Sequence, residues 1–218
     1  MKNKFTLTVL TLIGLNTTIS LTTSESQAAT TDHFRMSDYD NKCNFSPSVY
    51  KAFSKSGVEA DAINSFENHP KVKCSTLRQK DVILVDFMMS LHEDRFFVLS
   101  YSGKKVKFAG MVSHAFNTGD DYAYDFSNVP NSNYSVKGLF KTHNRVVRSI
   151  PPYSYPLSGL DTENSNTFRR NITIHRSVFD DNDYVGHSYG CFALTPDGIK
   201  KIKEFNIEGT YLYAYHEE

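Results

Sequence analysis

The sequence predicts a mainly β protein with a few helices, and three observations carry that prediction. Residues 82–112 contain three consecutive runs rich in β-branched and aromatic side chains, at 82–87, 95–100 and 105–112. A closing run at 210–215, Thr-Tyr-Leu-Tyr-Ala-Tyr, has the same texture. Helical spacing is confined to short stretches at 46–57, 59–68 and 196–205.

Taken in order, Ser46-Pro47 has N-cap and first-turn chemistry, Val49, Tyr50 and Phe53 follow at helical spacing, and Gly57 supplies a stop. A second helix is expected over 59–68, with Ala62, Ile63 and Phe66 on one side and Pro70 beyond its end. The three runs from Val82 onward are strands, and Ser102-Gly103 is a hairpin signal between the second and third, so this part should be an antiparallel meander. Residues 113–134 are rich in Asn, Asp, Ser, Gly and Tyr, show neither period, and are too long for an ordinary connector; such loops often carry function. Strand character resumes at 136–142 and 171–175, and Thr195 is placed to cap a helix beginning at Pro196.

Lys2 and Lys4 precede an apolar run from Phe5 to about Leu15, and Ser26-Gln27-Ala28 resembles a small-residue cleavage site. Residues 1–28 are therefore expected to be a secretory signal, leaving no stable membrane span after processing. Of 24 basic and 24 acidic residues, its removal takes Lys2, Lys4 and Glu25, so the mature chain is nearly neutral. That balance gives no electrostatic footprint for nucleic acid. Nothing in the sequence specifies an oligomeric state. Cys43 and Cys74 flank a helical-looking segment and, in an oxidising compartment, a bridge between them would close a loop of about 30 residues; the alternative is a pair of buried small side chains.

The chemistry concentrates between Asn171 and Cys191. Ile172-Thr173-Ile174 delivers His175 on a buried strand, and His187-Ser188-Tyr189-Gly190 delivers Cys191 on a flexible turn. A base on a rigid strand and a thiol on a turn with exposed amides is what a cysteine nucleophile needs. A zinc site built on His175, His187 and Cys191 is the competing chemistry, but no carboxylate pair or second cysteine joins them.

Six ordered blocks then resemble one family. They are Val112-Ser113-His114 with Thr118-Gly119; Phe126-Ser127-Asn128-Val129-Pro130 with Ser132; Gly138-Leu139-Phe140-Lys141-Thr142; Gly159-Leu160-Asp161; Arg170-Asn171-Ile172-Thr173-Ile174-His175; and Gly186-His187-Ser188-Tyr189-Gly190-Cys191. Together they resemble the murein L,D-transpeptidase catalytic-domain family, a branch of the YkuD-like transpeptidases. The resemblance implies a β-sandwich-like catalytic fold, peptidoglycan peptide stems as partners, no metal and no organic cofactor. It also implies a cysteine that attacks a stem carbonyl and passes the acyl group to an amine. His175 would be the base and Cys191 the nucleophile, with Gly190 and Ser188 forming the oxyanion turn. Tyr189, His187 and Arg176 depart from the commoner pattern, as does Phe192.

Around that pair, Arg170 either holds a carboxylate or makes a structural salt bridge, and Tyr189 either meets the stem or packs. His187 either orients substrate or caps a loop; His114 either approaches the cleft or is structural. The expected organisation is a signal over 1–28, a leader and helical appendage over 29–80, and a catalytic domain over 81–218. The implied location is across the inner membrane, periplasmic or wall-associated. Water in place of the amine would give an L,D-carboxypeptidase or endopeptidase, and loss of reactivity a peptidoglycan-binding module.

Overall fold

The computed structural model describes residue 43 and residues 46–146 and 153–217. The expected signal segment, and the leader up to Cys43, lie outside the described residues. Three helices come first: α1 (Pro47–Ser54), α2 (Ala60–Glu67) and α3 (Cys74–Gln79). Strands β1 (Val82–Asp86), β2 (Phe96–Ser100) and β3 (Lys105–Gly110) follow, then β4 (Gly138–Thr142) and β5 (Tyr155–Gly159). A 3₁₀ turn (Thr162–Asn164), β6 (Thr173–Arg176), β7 (Phe192–Leu194), α4 (Pro196–Ile202) and β8 (Tyr211–Tyr215) complete the order. Among the described residues no helix is long and apolar enough to cross a membrane.

All eight strands form one sheet in the order β3-β2-β1-β8-β4-β5-β6-β7. The first three make the expected antiparallel meander, while β1–β8 and β6–β7 pair in parallel. The two edges then approach each other: Val112, just past β3, bridges Leu194 of β7, and Ser113 donates its amide to the Ala193 carbonyl at 2.9 Å. The architecture is therefore mainly a single sheet curled into a near-closed barrel, with a few helices. Closing a sheet on itself removes most of its exposed edge, and it encloses one core.

Side-chain alternation assigns the two faces. Ile83, Val85, Phe96, Val98, Phe140, Leu157, Ile174, Phe192, Leu212 and Ala214 fill the barrel interior. The outward residues of β1, β2 and β8, among them Val82, Leu84, Phe97, Leu99, Tyr211 and Tyr213, meet Val49, Phe53, Ala62, Ile63, Phe66 and Leu77 from the three helices. This is why β1 is buried at all five positions and reads as an unbroken apolar run. Cys43 and Cys74 are joined by a disulfide, with Cα atoms 5.2 Å apart, which ties the start of α3 to the segment before α1.

Three elements were not expected. Helix α3 has only six residues, with a single buried side chain, Leu77. Strand β5 contains Pro156, which normally argues against a strand between two neighbours. Here Pro156 lies opposite His143, one residue past the end of β4, and its carbonyl still accepts the His143 amide at 2.9 Å. The missing N–H thus falls where the ladder is ending. Strand β7 is only three residues long.

Candidate active site

The outward face of β6 carries His175, and Cys191 lies one step before β7 on the same side. Ile174 pairs with Phe192 and His175 with Ala193 in parallel register, and Ile174, Phe192 and Leu194 point into the core. The alternate residues Thr173, His175 and Cys191 consequently share the outer face. Thr173 Oγ1 lies 3.9 Å from Cys191 Sγ, which continues the same register one step beyond β7. His175 and Cys191 are then diagonal neighbours across the β6–β7 pair, two positions apart in register.

The turn before the thiol is built around two unusual backbone positions. Gly190 has φ +125°, and a Cβ there would come within 2.8 Å of Ile172 Cδ1 and 3.1 Å of Arg170 Nη2 and the Tyr134 carbonyl. Only glycine meets both demands. Asn171 is left-handed at φ +60°, and its carbonyl lies 3.6 Å from the sulfur as acceptor for the S–H. Ser188 clamps the turn from inside: its Oγ donates to the Cys191 carbonyl at 2.7 Å and accepts the Gly190 amide at 3.1 Å. Ser113 Oγ donates to the same carbonyl at 3.2 Å and accepts the Ala193 amide at 3.0 Å. Cys191 is a partly exposed residue and is free of any disulfide.

Two features bear on protonation. His175 Nδ1 lies 2.6 Å from the Arg176 carbonyl, and a carbonyl only accepts, so Nδ1 carries the proton and Nε2 is left as the basic nitrogen. Because a main-chain oxygen does this, the arginine at 176 is compatible with the arrangement; its side chain turns away to pair with Asp180. Burial lowers the His175 pKa, with the hydrogen bond to Arg176 opposing it. Burial also pushes the Cys191 thiol up, opposed by the Thr173 amide and hydroxyl and by the charge of Arg170. Both shifts favour the uncharged forms.

The remaining expected residues have definite places. Arg170 donates through Nη1 to the Ser127 carbonyl at 2.5 Å and through Nη2 to the Tyr134 carbonyl at 2.6 Å, which pins the long loop beside the thiol. No carboxylate takes part in those contacts. His114 is fully buried: Nδ1 accepts from Arg95 Nη2 at 2.9 Å and Nε2 donates to the Gly119 carbonyl at 3.1 Å. Burial and the Arg95 charge lower its pKa to about 4, so it supports the loop as a neutral ring and does not reach the cleft. Arg95 is itself buried and also donates to the Val112 and Met89 carbonyls.

His187 stacks on Phe116, meets His114 edge-on and lies 3.0 Å from the Asp120 carbonyl through Nε2. Tyr189 is 72% exposed and packs its ring against Phe116, making an aromatic ledge next to the thiol. Sequence reasoning did not single out Thr173, Ser113 or Arg95. Thr173 had a signal, since it lies two residues before His175 on the same strand face. Among the described residues no group of three or more His, Cys, Asp or Glu side chains is arranged to hold a metal ion.

The fold and the site together define a curled-sheet protein that carries a thiol and an imidazole on one outward strand pair. The family model described as the L,D-transpeptidase catalytic domain matches residues 51–215, and the chain belongs to that family. Among solved structures it resembles an L,D-transpeptidase from Mycobacterium smegmatis, with 12% identity and TM-score 0.41 over 63% of this chain and 59% of that one. It also resembles an L,D-transpeptidase from Stackebrandtia nassauensis, with 13% identity and TM-score 0.40 over 78% and 77% of the two chains. A third is the helical cell shape determining protein Pgp2 from Campylobacter jejuni, with 10% identity and TM-score 0.44 over 64% and 48%. No curated protein matches the chain.

Proposed function

We propose that the protein is a secreted cell-wall enzyme that cleaves and rejoins peptidoglycan peptide stems through a thioester on Cys191. The observation that supports this best is the shared outer face of His175 and Cys191, with the imidazole tautomer set by the Arg176 carbonyl. In this reading His175 Nε2 takes the thiol proton as Sγ attacks a stem carbonyl, and the turn at Gly190 and Cys191 faces the developing oxyanion. The C–N bond then breaks, and the imidazolium returns its proton to the departing amine. An amine from a neighbouring stem attacks the thioester, gives its proton to His175, and releases the new amide with the thiol restored.

Gly190 already donates to Ser188 Oγ at rest, so stabilising the oxyanion requires exchanging that hydroxyl for the substrate oxygen. Ser188 therefore acts as a placeholder as well as a clamp. Tyr189 and His187 border the route to the sulfur, and Arg170 holds that route open by fixing the loop. Secretion places the enzyme where its substrate is, on the periplasmic or wall side of the membrane, and there the Cys43–Cys74 disulfide is stable.

The test is incubation with defined tetrapeptide muropeptides, followed by mass spectrometry of products and of intact protein. The expected result is stem dimers and an acyl adduct that disappears in Cys191→Ala. Shortened stems without dimers would assign hydrolysis to the same thiol, and an adduct that persists in Cys191→Ala would end the assignment.

A further inference from the structure

Thr173 opens β6 between Ile172 and Ile174, a position where any β-branched side chain suits the strand, so the sheet itself asks for no hydroxyl. The hydroxyl is aimed at the chemistry instead. Its Oγ1 donates to Cys191 Sγ at 3.9 Å, the one hydrogen bond it makes among the described residues. The main chain of the same residue points the same way. The Ile172 carbonyl accepts the Leu157 amide at 3.1 Å on the β5 side, and across a trans peptide the next N–H points away from that oxygen. The Thr173 amide is therefore turned from β5 toward the cysteine, where it opposes the upward shift of the thiol. One residue thus offers the sulfur two donors from a rigid strand.

The other groups around the sulfur are committed elsewhere. The Asn171 carbonyl, 3.6 Å away, accepts the S–H and can give nothing to the sulfur once that proton has gone. Arg170 lends the field of its charge, but its terminal nitrogens are held by the Ser127 and Tyr134 carbonyls. The Gly190 amide donates to Ser188 Oγ, and in the acyl-transfer reading it turns next to the substrate oxygen. Burial works against any charge formed at Cys191, so an anion there depends on donors already in place.

We propose that Thr173 is a catalytic residue whose hydroxyl, together with its amide, holds the Cys191 thiolate after His175 Nε2 has taken the thiol proton. The hydroxyl keeps its own proton throughout: the S–H bond breaks, an N–H bond forms on the imidazole, and the electron pair left on sulfur faces two donors. The proposal rests on the acyl-transfer function above and deepens it. Its effect on rate has two sides. Donors that stabilise a thiolate populate it at neutral pH but blunt its attack, because nucleophilicity falls with thiol pKa at a slope of about 0.4–0.5. A tenfold gain in thiolate therefore leaves about a threefold gain in rate while most of the thiol is protonated, and about a threefold loss once all of it is ionised.

Cys43 and Cys74 are bridged, so Cys191 is the single free thiol of the chain and iodoacetamide reads it alone. Alkylation rate is followed across pH in the wild type, Thr173→Val, Thr173→Ala and Thr173→Ser, with urea denaturation to confirm that each is folded. Loss of the hydroxyl in Thr173→Val and Thr173→Ala should move the alkylation midpoint up by about one pH unit. The same two variants should react about threefold more slowly at neutral pH and about threefold faster on the alkaline plateau, while Thr173→Ser follows the wild type. Such a crossing of profiles is not produced by a loosened strand. Val and Ala profiles that coincide with the wild type, or a Ser profile that shifts with them, overturn the role. Acylation by a stem tetrapeptide reports separately on the reading beneath it. A shifted alkylation profile without any acyl adduct keeps Thr173 as the thiolate's donor and removes acyl transfer; an adduct with unshifted profiles does the reverse.

Discussion

The barrel has two outward faces that share one scaffold and differ in what covers them. Over β1, β2 and β8 the outward residues are Val82, Leu84, Phe97, Leu99, Tyr211 and Tyr213, and helices α1–α3 close over them. Over β6 and β7 they are Thr173, His175 and Cys191, and Cys191 stays partly exposed. The first face gathers apolar area, so its worth is stability. The second exposes a polar pair whose inward neighbours, Ile174 and Phe192, are locked in the core, so its worth is position. Because each strand alternates, one fold makes a rigid back for the site out of the same residues that fill the barrel.

The comparison breaks if damage to one face spreads to the other. The largest effect should come from the covered face. Phe66 is fully buried and rings it are Tyr101, Tyr211 and Tyr213, so Phe66→Ala should cost about 3–5 kcal/mol of stability by lost burial and the cavity left behind. Urea denaturation would read that loss. Acylation of Cys191 per folded molecule should be unchanged, and a matching fall in acylation would mean that the faces are coupled.

A smaller effect sharpens the comparison through pH. Glu67, 5% exposed under the helices, has its pKa raised to about 7, chiefly by burial and despite the hydrogen bond from Tyr50. A carboxyl whose folded pKa lies above its unfolded value stabilises while protonated, so the contribution is full below about pH 4.5 and is lost as pH rises through 7. The loss is of order 2–3 kcal/mol for a group this buried. Asp86, raised to about 6 mainly by burial, acts in the same direction. His114, lowered to about 4, and His175, also lowered, act the other way as pH rises toward the ordinary histidine value, so the effect is read as a difference: between pH 5 and pH 8 the wild-type denaturation midpoint should fall relative to that of Glu67→Gln. A wild-type midpoint that keeps a constant offset from that of Glu67→Gln over this interval would show that Glu67 is not held in its protonated form.

Much of this was legible in the chain, for physical reasons. Strands β1, β2 and β8 announce themselves because they are buried on both faces and carry nearly unbroken apolar and aromatic runs, whereas partly buried β3 is marked by the Ser102-Gly103 hairpin signal before it. Helix α4 is marked by Thr195, whose Oγ1 accepts the Gly198 amide at 3.1 Å as its cap. Helix α1 is marked by Pro47, although Ser46 bonds to Ser48 instead of capping the backbone. What escaped is short or long-range. Strands β5 and β7 are hidden by Pro156 and by a length of three residues, and barrel closure depends on Val112 meeting Leu194, a contact no local pattern encodes.

The site divides the same way. His175, Gly190 and Cys191 stand out by type and spacing, whereas the grip of Arg170 on two main-chain carbonyls is invisible until the loop folds back. His114 illustrates the converse. A histidine at the entry to the long loop left both a cleft role and a structural one open, and only the fold shows Arg95 buried against it as a hydrogen-bond partner.

The central claim is that His175 activates Cys191 within a pair that burial shifts toward the uncharged forms. Its most direct test is the rate of Cys191 acylation by a stem tetrapeptide across pH, in the wild type and in His175→Ala. Burial lowers His175, so the wild type should hold its rate to pH values below the ordinary histidine range before protonation removes the base. The raised thiol means that His175→Ala should be slower at neutral pH by about 10²–10⁴-fold and should recover only as alkali ionises the sulfur directly. Equal rates for the two proteins at neutral pH would contradict the account.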